Sequence, residues 1–168
     1  MKDLKLYDLI FPIWLMIFFP PMIFITLIGN FIIDSIVLIG CYSFFRLKNE
    51  DIRFPTFYKK NIFKVWFLGL MADIIGAALL IVISFAGPSL GISDKVLNAI
   101  NYAPFGSLAG VLIIIFSTMV SGFFLYLFNK QIFKNQFSEG TLKVKIAVAI
   151  AVITMPYTFL LPTHWFYH

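Results

Sequence analysis

Long uncharged stretches separated by short charged ones dominate the pattern of this chain. From Leu9 to Phe45 the only charged residue is Asp34, and three further apolar runs follow. A membrane-spanning helix needs about 20 consecutive apolar residues, so the first run is long enough for two such helices. Pro20 and Pro21 are the natural break between them, because proline lacks the N–H that a helix interior requires. A single long, kinked helix is the alternative.

The whole pattern predicts an all-α integral membrane protein, a single domain over residues 1–168 built as a compact bundle of about five transmembrane helices, the first short or kinked. The predicted helices are approximately 6–19, 21–46, 62–85, 104–129 and 142–161. We expect the charged link 46–64 to lie along the lipid surface. A short helix over 94–102, capped by Ser93, is predicted in the next link. Pro156 predicts a bend or fraying in the last helix.

Composition supports the membrane class. The chain is 61% hydrophobic and 12% charged, whereas soluble domains are about half apolar and a quarter charged. The net charge of +5 comes from basic residues beside apolar runs, without the exposed aromatic side chains of a nucleic-acid interface. We therefore expect the lipid bilayer as partner and no nucleic acid. The single cysteine, Cys41, has no partner for an internal disulfide.

Lysine and arginine predict an orientation. They concentrate in the links 46–64 and 129–145, while the other long link holds only Lys95. Because basic residues mark cytoplasmic links, both basic links should be cytoplasmic. Five spans would also place Lys2 and Lys5 inside, so this rule favours a cytoplasmic N-terminus and an external C-terminus. The expected location is a cell membrane, the bacterial inner or plasma membrane. The use of Ile, Phe, Lys and Asn resembles that of small multi-pass proteins from AT-rich bacterial genomes, but no specific residues connect the chain to a named family.

Polar residues recur at similar depth in the last four predicted helices. Asp34 lies twelve residues before Arg46, about 18 Å along a helix, and Asp73 lies at a similar depth on the next helix. The predicted polar layer consists of Thr26, Asn30, Asp34, Asp73, Ser117, Thr118, Ser121 and Thr154. Separately, Gly106 and Gly110 have the GxxxG spacing, which indicates close helix packing first and dimerisation second.

The two acids of this layer have no lysine or arginine at membrane depth to neutralise them. Three states satisfy the chemistry: protonated carboxyls, a proton shared by the pair, or a bound cation held by oxygen ligands. Ionisable residues inside a membrane commonly mark ion pathways. A protonated aspartate bonded to Asn30 or to a serine can also simply hold helices together. The sequence leaves both interpretations open.

Two functions follow from these two interpretations. The first is a small transporter or channel-like subunit that moves a proton, a cation or a small solute through the polar layer. The second is a non-catalytic accessory, immunity or assembly subunit whose acids are structural. A homo-oligomer or a partner membrane subunit is compatible with either. An enzyme is least expected, because the chain lacks catalytic, phosphate-binding and metal-binding motifs. We expect no cofactor or metal, and interpret His164 and His168 as part of an aromatic tail.

Overall fold

The computed structural model describes residues 12–16, 22–50, 52–137 and 140–163. Within these ranges the chain is helical and has no strand. The α-helices are α1 (Ile13–Met16), α2 (Met22–Phe44), α3 (Phe54–Ala86), α4 (Asp94–Asn101), α5 (Leu108–Ile132) and α6 (Gly140–Thr154). Short 3₁₀ helices cover Leu47–Glu50, Pro88–Leu90, Pro104–Gly106 and Tyr157–Leu160.

Four segments of the described chain are long and apolar enough to cross a membrane. They are α2, α3, α5 and the segment Gly140–Leu160, which joins α6 to the last 3₁₀ helix. α2 packs against α3 and α6, and α5 packs against the same two helices. The four segments therefore form a ring in which α2 and α5 lie on opposite sides.

Two apolar cores lie at opposite ends of this ring. The first, here called the basic-end core, lies beside the lysine- and arginine-rich links and includes Leu38, Phe57, Val65, Phe133, Ile146 and Ile150. The second, here called the far-end core, lies beside α4 and includes Trp14, Leu80, Ile100, Ile114 and Phe159. The polar positions of the predicted layer lie between these cores along the helices.

The prediction for the third helix was wrong at its start. α3 begins at Phe54 rather than near residue 62, and has 33 residues. Pro55 lies in the first turn of the helix, where its missing N–H costs nothing. Lys59 and Lys60 are exposed on this added segment. The charges of these lysines led to the prediction of a link along the lipid surface. Charged residues are equally compatible with a helix that continues beyond the apolar layer.

Two other boundaries also differ from the prediction. α5 begins at Leu108 rather than 104, because Pro104 starts a 3₁₀ turn instead of the α-helix. α6 ends at Thr154, and the chain continues as a 3₁₀ helix from Tyr157. The bend expected at Pro156 is therefore a complete break in the α-helix. α2 and α4 lie close to their predicted positions, although Ser93 makes no side-chain cap hydrogen bond.

Only α1 is described within the predicted first helix, 6–19; residues 6–11 and 17–19 lie outside the described residues. Trp14 Nε1 donates a hydrogen bond to the Ile100 carbonyl at 3.0 Å, and the Trp14 side chain belongs to the far-end core. α2 starts at this same end, because its last turns join the basic-end core. The described part of the predicted first helix therefore does not cross the bundle.

Gly110 fixes α4 against α5. A Cβ atom at Gly110 would overlap the Cβ of Ala99 on α4, whereas one at Gly106 would meet only the Ala103 Cβ, 3.9 Å away. The close packing predicted from the GxxxG spacing is thus made within the chain by Gly110. Dimerisation through this motif stays a prediction.

Substituting Gly110 tests this contact. We expect Gly110→Ala to lower the free energy of unfolding by about 1–3 kcal/mol, the usual cost of overpacking. The matched control is Gly40→Ala on α2, where an added Cβ meets nothing within 4 Å and should leave stability unchanged or raised. Thermal unfolding in detergent measures both variants. Equal stability of the two would contradict the packing of α4 on α5.

Candidate functional site

A cavity of about 260 Å³ lies between α2, α3 and the break that follows α6. Five residues of the predicted polar layer line it: Thr26, Asn30, Asp34, Asp73 and Thr154. Two carboxyl groups on different helices therefore share one space. Among the described residues that line this cavity, none is lysine, arginine or histidine.

The α2 side of the cavity follows from helical spacing. Thr26, Asn30 and Asp34 are four residues apart and so lie along one face. Ile28 and Ile32, on other faces of the same helix, are exposed. α2 thus turns its polar stripe toward its neighbours and much of its apolar surface outward, opposite to a helix on the surface of a soluble protein.

Asp34 is buried but makes no hydrogen bond or ion pair with another described residue. It is 5% exposed and its carboxyl reaches α3, where Oδ2 lies 3.7 Å from the position that a Cβ on Gly69 would take. A Cβ at this position would make only ordinary van der Waals contact with the carboxyl, so the approach does not require a glycine. Asp34 is therefore a nearly buried acid that faces the cavity without a partner among the described residues.

Asp73 lies one helical turn beyond Gly69, on the same face of α3. It is 8% exposed, and its Oδ1 accepts a hydrogen bond from Ser121 Oγ on α5 at 3.2 Å. Ser121 does not line the cavity but holds one of the acids that do. The environments of the two carboxyls therefore differ: Asp73 has a donor and Asp34 has none among the described residues.

The α5 residues of the predicted layer differ in their contacts: Ser121 bonds an acid of the cavity, whereas Ser117 and Thr118 bond backbone carbonyls. Ser117 Oγ donates to the Gly76 carbonyl at 2.6 Å, and Thr118 Oγ1 donates to the Ile114 carbonyl of its own helix at 2.9 Å. Neither residue lines the cavity. A hydroxyl that bonds a nearby carbonyl is satisfied without a ligand. Ser117 thus contributes to the close contact of α3 and α5 at Gly76.

The third wall is the break in α6. Tyr157 N–H donates to the Met155 carbonyl at 2.8 Å rather than to Ile153, four residues back, as it would in a continuous helix. Proline has no N–H to offer the Val152 carbonyl, and the Tyr157 hydroxyl donates to that carbonyl instead, at 2.6 Å. The break thus removes the helical hydrogen bond of the Ile153 carbonyl beside the cavity.

Sequence reasoning missed the wall residues Ile153, Met155 and Tyr157, which line the cavity with Thr154. The predicted bend at Pro156 was the available signal, because residues around a broken helix turn their backbone toward whatever lies beside the break. The Thr154 hydroxyl itself donates to the Ile150 carbonyl at 2.9 Å.

The cavity is closed toward the basic end. Leu38 follows Asp34 by one helical turn and is fully buried in the basic-end core, together with Val65 and Ile150. In the other direction the cavity extends to Thr26, one turn from the start of α2. The two acids therefore lie at the end of the cavity nearest the basic-end core, and that core separates the cavity from the basic end of the bundle.

No metal centre of the usual kind accompanies the cavity in the described ranges, where no three His, Cys, Asp or Glu side chains are grouped to hold an ion. His164 and His168 lie outside the described residues. Comparison with protein families, curated proteins and solved structures found no match to this chain. The chemistry of the cavity is therefore the basis for assigning a function.

Access to the cavity can be tested with a thiol reagent. In a Cys41→Ala background, Asn30→Cys should react with aminoethyl methanethiosulfonate at least about tenfold faster than the native thiol, because reaction requires an accessible thiolate. Native Cys41 is 4% exposed and provides the control in the unmodified chain. Reaction of purified protein, followed by mass spectrometry, gives both rates. Equal rates would show that Asn30 does not face a water-accessible space.

Proposed function

We propose that this chain is a multi-pass membrane protein that binds a cation in the Asp34/Asp73 cavity in competition with protons, and that it acts as a small transporter or channel-like subunit. The observation that carries this proposal is the pair of buried carboxyls on one cavity, without a basic side chain among its described lining residues. Such a site favours a positively charged occupant.

Exposed apolar side chains support insertion in a membrane. Phe24, Ile28, Phe85 and Met119 are each more than 60% exposed, and they lie on three different candidate spans. Soluble monomers rarely expose large contiguous apolar surfaces. Lipid would cover these side chains without requiring a protein partner. Away from the helix ends and the break after α6, the backbone hydrogen bonds are made within each helix, as the bilayer interior requires.

Charge supports one orientation. The described basic residues cluster around the links that follow α2 and α5, whereas Lys95 lies on α4 at the far end. We place the basic end in the cytoplasm. Thr163, whose backbone N–H bonds the Tyr102 carbonyl, then lies outside, in keeping with the predicted external C-terminus. The predicted cytoplasmic N-terminus concerns residues outside the described ranges and stays a prediction.

Proton competition follows from the groups around the cavity. An aspartate at the centre of a membrane helix costs about 2.5–3.5 kcal/mol on insertion scales, and either a proton or a bound cation relieves this cost. The titratable groups that face the cavity from α2, α3 and the α6 break are Asp34, Asp73 and Tyr157. α5 contributes Ser121, which does not titrate. Cation binding should therefore weaken as the pH falls and should release protons.

Transport requires a second state. The basic-end core blocks the path from Asp34 to the cytoplasm, since Leu38 and Val65 are almost completely buried there. The break near Pro156 is the natural hinge, because it already lacks continuous helical hydrogen bonds. Movement of α6 about this break would separate Ile146 and Ile150 from the core and open the path.

One observation favours the accessory subunit as a second candidate. Asp73 is bonded to Ser121 beside the tight contact between Ser117 and Gly76, an arrangement that can serve α3–α5 packing alone. In that case the acids hold the bundle together and a partner membrane subunit carries the activity. Asp34, which lacks such a bond among the described residues, does not fit this alternative.

Neutralising the acids distinguishes the two candidates. Protein reconstituted in vesicles with an internal pH dye should release protons on addition of at least one of four salts: sodium, lithium, potassium or propylammonium chloride. Asp34→Asn should reduce the signal at least about tenfold, which corresponds to 1.4 kcal/mol, and Asp34→Asn with Asp73→Asn should abolish it. The control is Asp94→Asn, an exposed acid on α4. A double variant that folds and signals normally would exclude transport through this cavity.

A further inference from the structure

We infer that the occupant of this cavity is a small organic cation, a primary ammonium with a short alkyl chain, and that an alkali-metal ion is not its specific ligand. This inference rests on the proposed function and specifies its ligand class. Three observations carry it: the size of the cavity, the spacing of its polar groups and its apolar lining.

The cavity is too large for a bare ion. Its volume is about 260 Å³, whereas one water molecule takes up about 30 Å³ in the liquid. Small-molecule sites begin at roughly 300 Å³, close to the value here. A metal ion stripped of water would leave most of this space unfilled.

The row of polar groups on α2 is also too long to belong to one coordination shell. Thr26 and Asp34 are eight residues apart on α2, about 12 Å along the helix. Hard metal ions gather oxygen ligands within about 2.0–2.6 Å on all sides. A row of polar groups matches an elongated ligand with its charge at one end.

Asp34 provides the counter-ion. Asp34 is 5% exposed as a residue, lines the cavity and makes no hydrogen bond to a described residue. A primary ammonium has three N–H donors. The residues that line the cavity carry three candidate acceptors: the Asp34 carboxylate, the second oxygen of Asp73 and the Ile153 carbonyl released by the helix break.

Apolar side chains provide the surroundings for an alkyl chain. Ile33, Leu70, Ile153 and Met155 line the same cavity as the acids. An alkali ion gains nothing from such a lining, whereas each buried methylene of an alkylammonium should raise affinity about fourfold. The flexible thioether of Met155 can adapt to chains of different length.

Calorimetry on the purified full chain in lipid nanodiscs tests this inference. The probes are methylammonium, ethylammonium, propylammonium, sodium and lithium chlorides at equal ionic strength, with n-propanol as the uncharged analogue. We expect affinity to rise about fourfold with each methylene, and no saturable binding of sodium, lithium or propanol. Propylammonium affinity should fall with decreasing pH.

Two variants test separately the contributions of the ligand's charge and of its alkyl chain. Asp34→Asn should abolish saturable binding of all ammonium ions, with Asp94→Asn as the unchanged control. Leu70→Ala should flatten the dependence on chain length and leave methylammonium affinity within about twofold. Its control is Ile36→Ala, because Ile36 is 63% exposed on α2 and is not among the residues that line the cavity.

Each contrary outcome has a distinct meaning. Saturable sodium or lithium binding that Asp34→Asn removes, without propylammonium binding, would overturn the organic-cation inference and leave the proposed function standing. Propylammonium binding that survives Asp34→Asn would place the ligand elsewhere, in the lipid or on another surface, and would also overturn it. Absence of binding by every cation would overturn both.

Discussion

The energetic cost of placing a carboxyl group in apolar surroundings without a basic partner governs this structure. Asp34 and Asp73 are both almost completely buried, and no described basic residue lines their cavity. Folding alone gives no reason to keep Asp34 there, because leucine at the same position would avoid the cost of the acid. The Asp34 carboxyl nevertheless lies against Gly69 of α3, and Ser121 donates a hydrogen bond to the other acid. The acids and their surroundings are best explained by an occupant that neutralises them.

The break in α6 belongs to the same arrangement. Where the helix ends, backbone carbonyls lose their helical hydrogen bonds. The Tyr157 hydroxyl replaces one of these bonds by donating to the Val152 carbonyl. Irregular backbone at membrane depth is tolerated where it lines a cavity or is buried in protein. Here it lines the cavity that contains the acids. The proposed ligand site and the proposed hinge thus share the same few residues, and the proposed function would link occupancy of the cavity to the position of α6 against the basic-end core.

Spacing along one helix was predictable from sequence, and contacts between helices were not. The four-residue repeat of Thr26, Asn30 and Asp34 predicted their common face, and the cavity is built on it. The predicted depth of Asp73 along its helix correctly placed it near Asp34. The same reasoning also placed Ser117 in the layer, although its hydroxyl bonds the Gly76 carbonyl and does not line the cavity. Such bonds depend on how each helix is rotated about its axis, and the depth of a residue does not determine that rotation. The start of α3 was missed because exposed lysines occur both in links and on helices that extend beyond an apolar layer.

We propose that Asp34 is retained for an occupant and at a cost to stability. The melting temperature of unliganded Asp34→Asn and Asp34→Leu, at neutral pH in detergent, tests this proposal most directly. Both variants should melt at or above the temperature of the unmodified protein. Asn61→Leu, which removes the buried amide pair with Gln136, should melt lower by roughly 2–4 °C per kcal/mol lost and shows that the assay detects a lost polar contact. A comparable drop for both Asp34 variants would show that Asp34 is a structural residue and is not retained for an occupant.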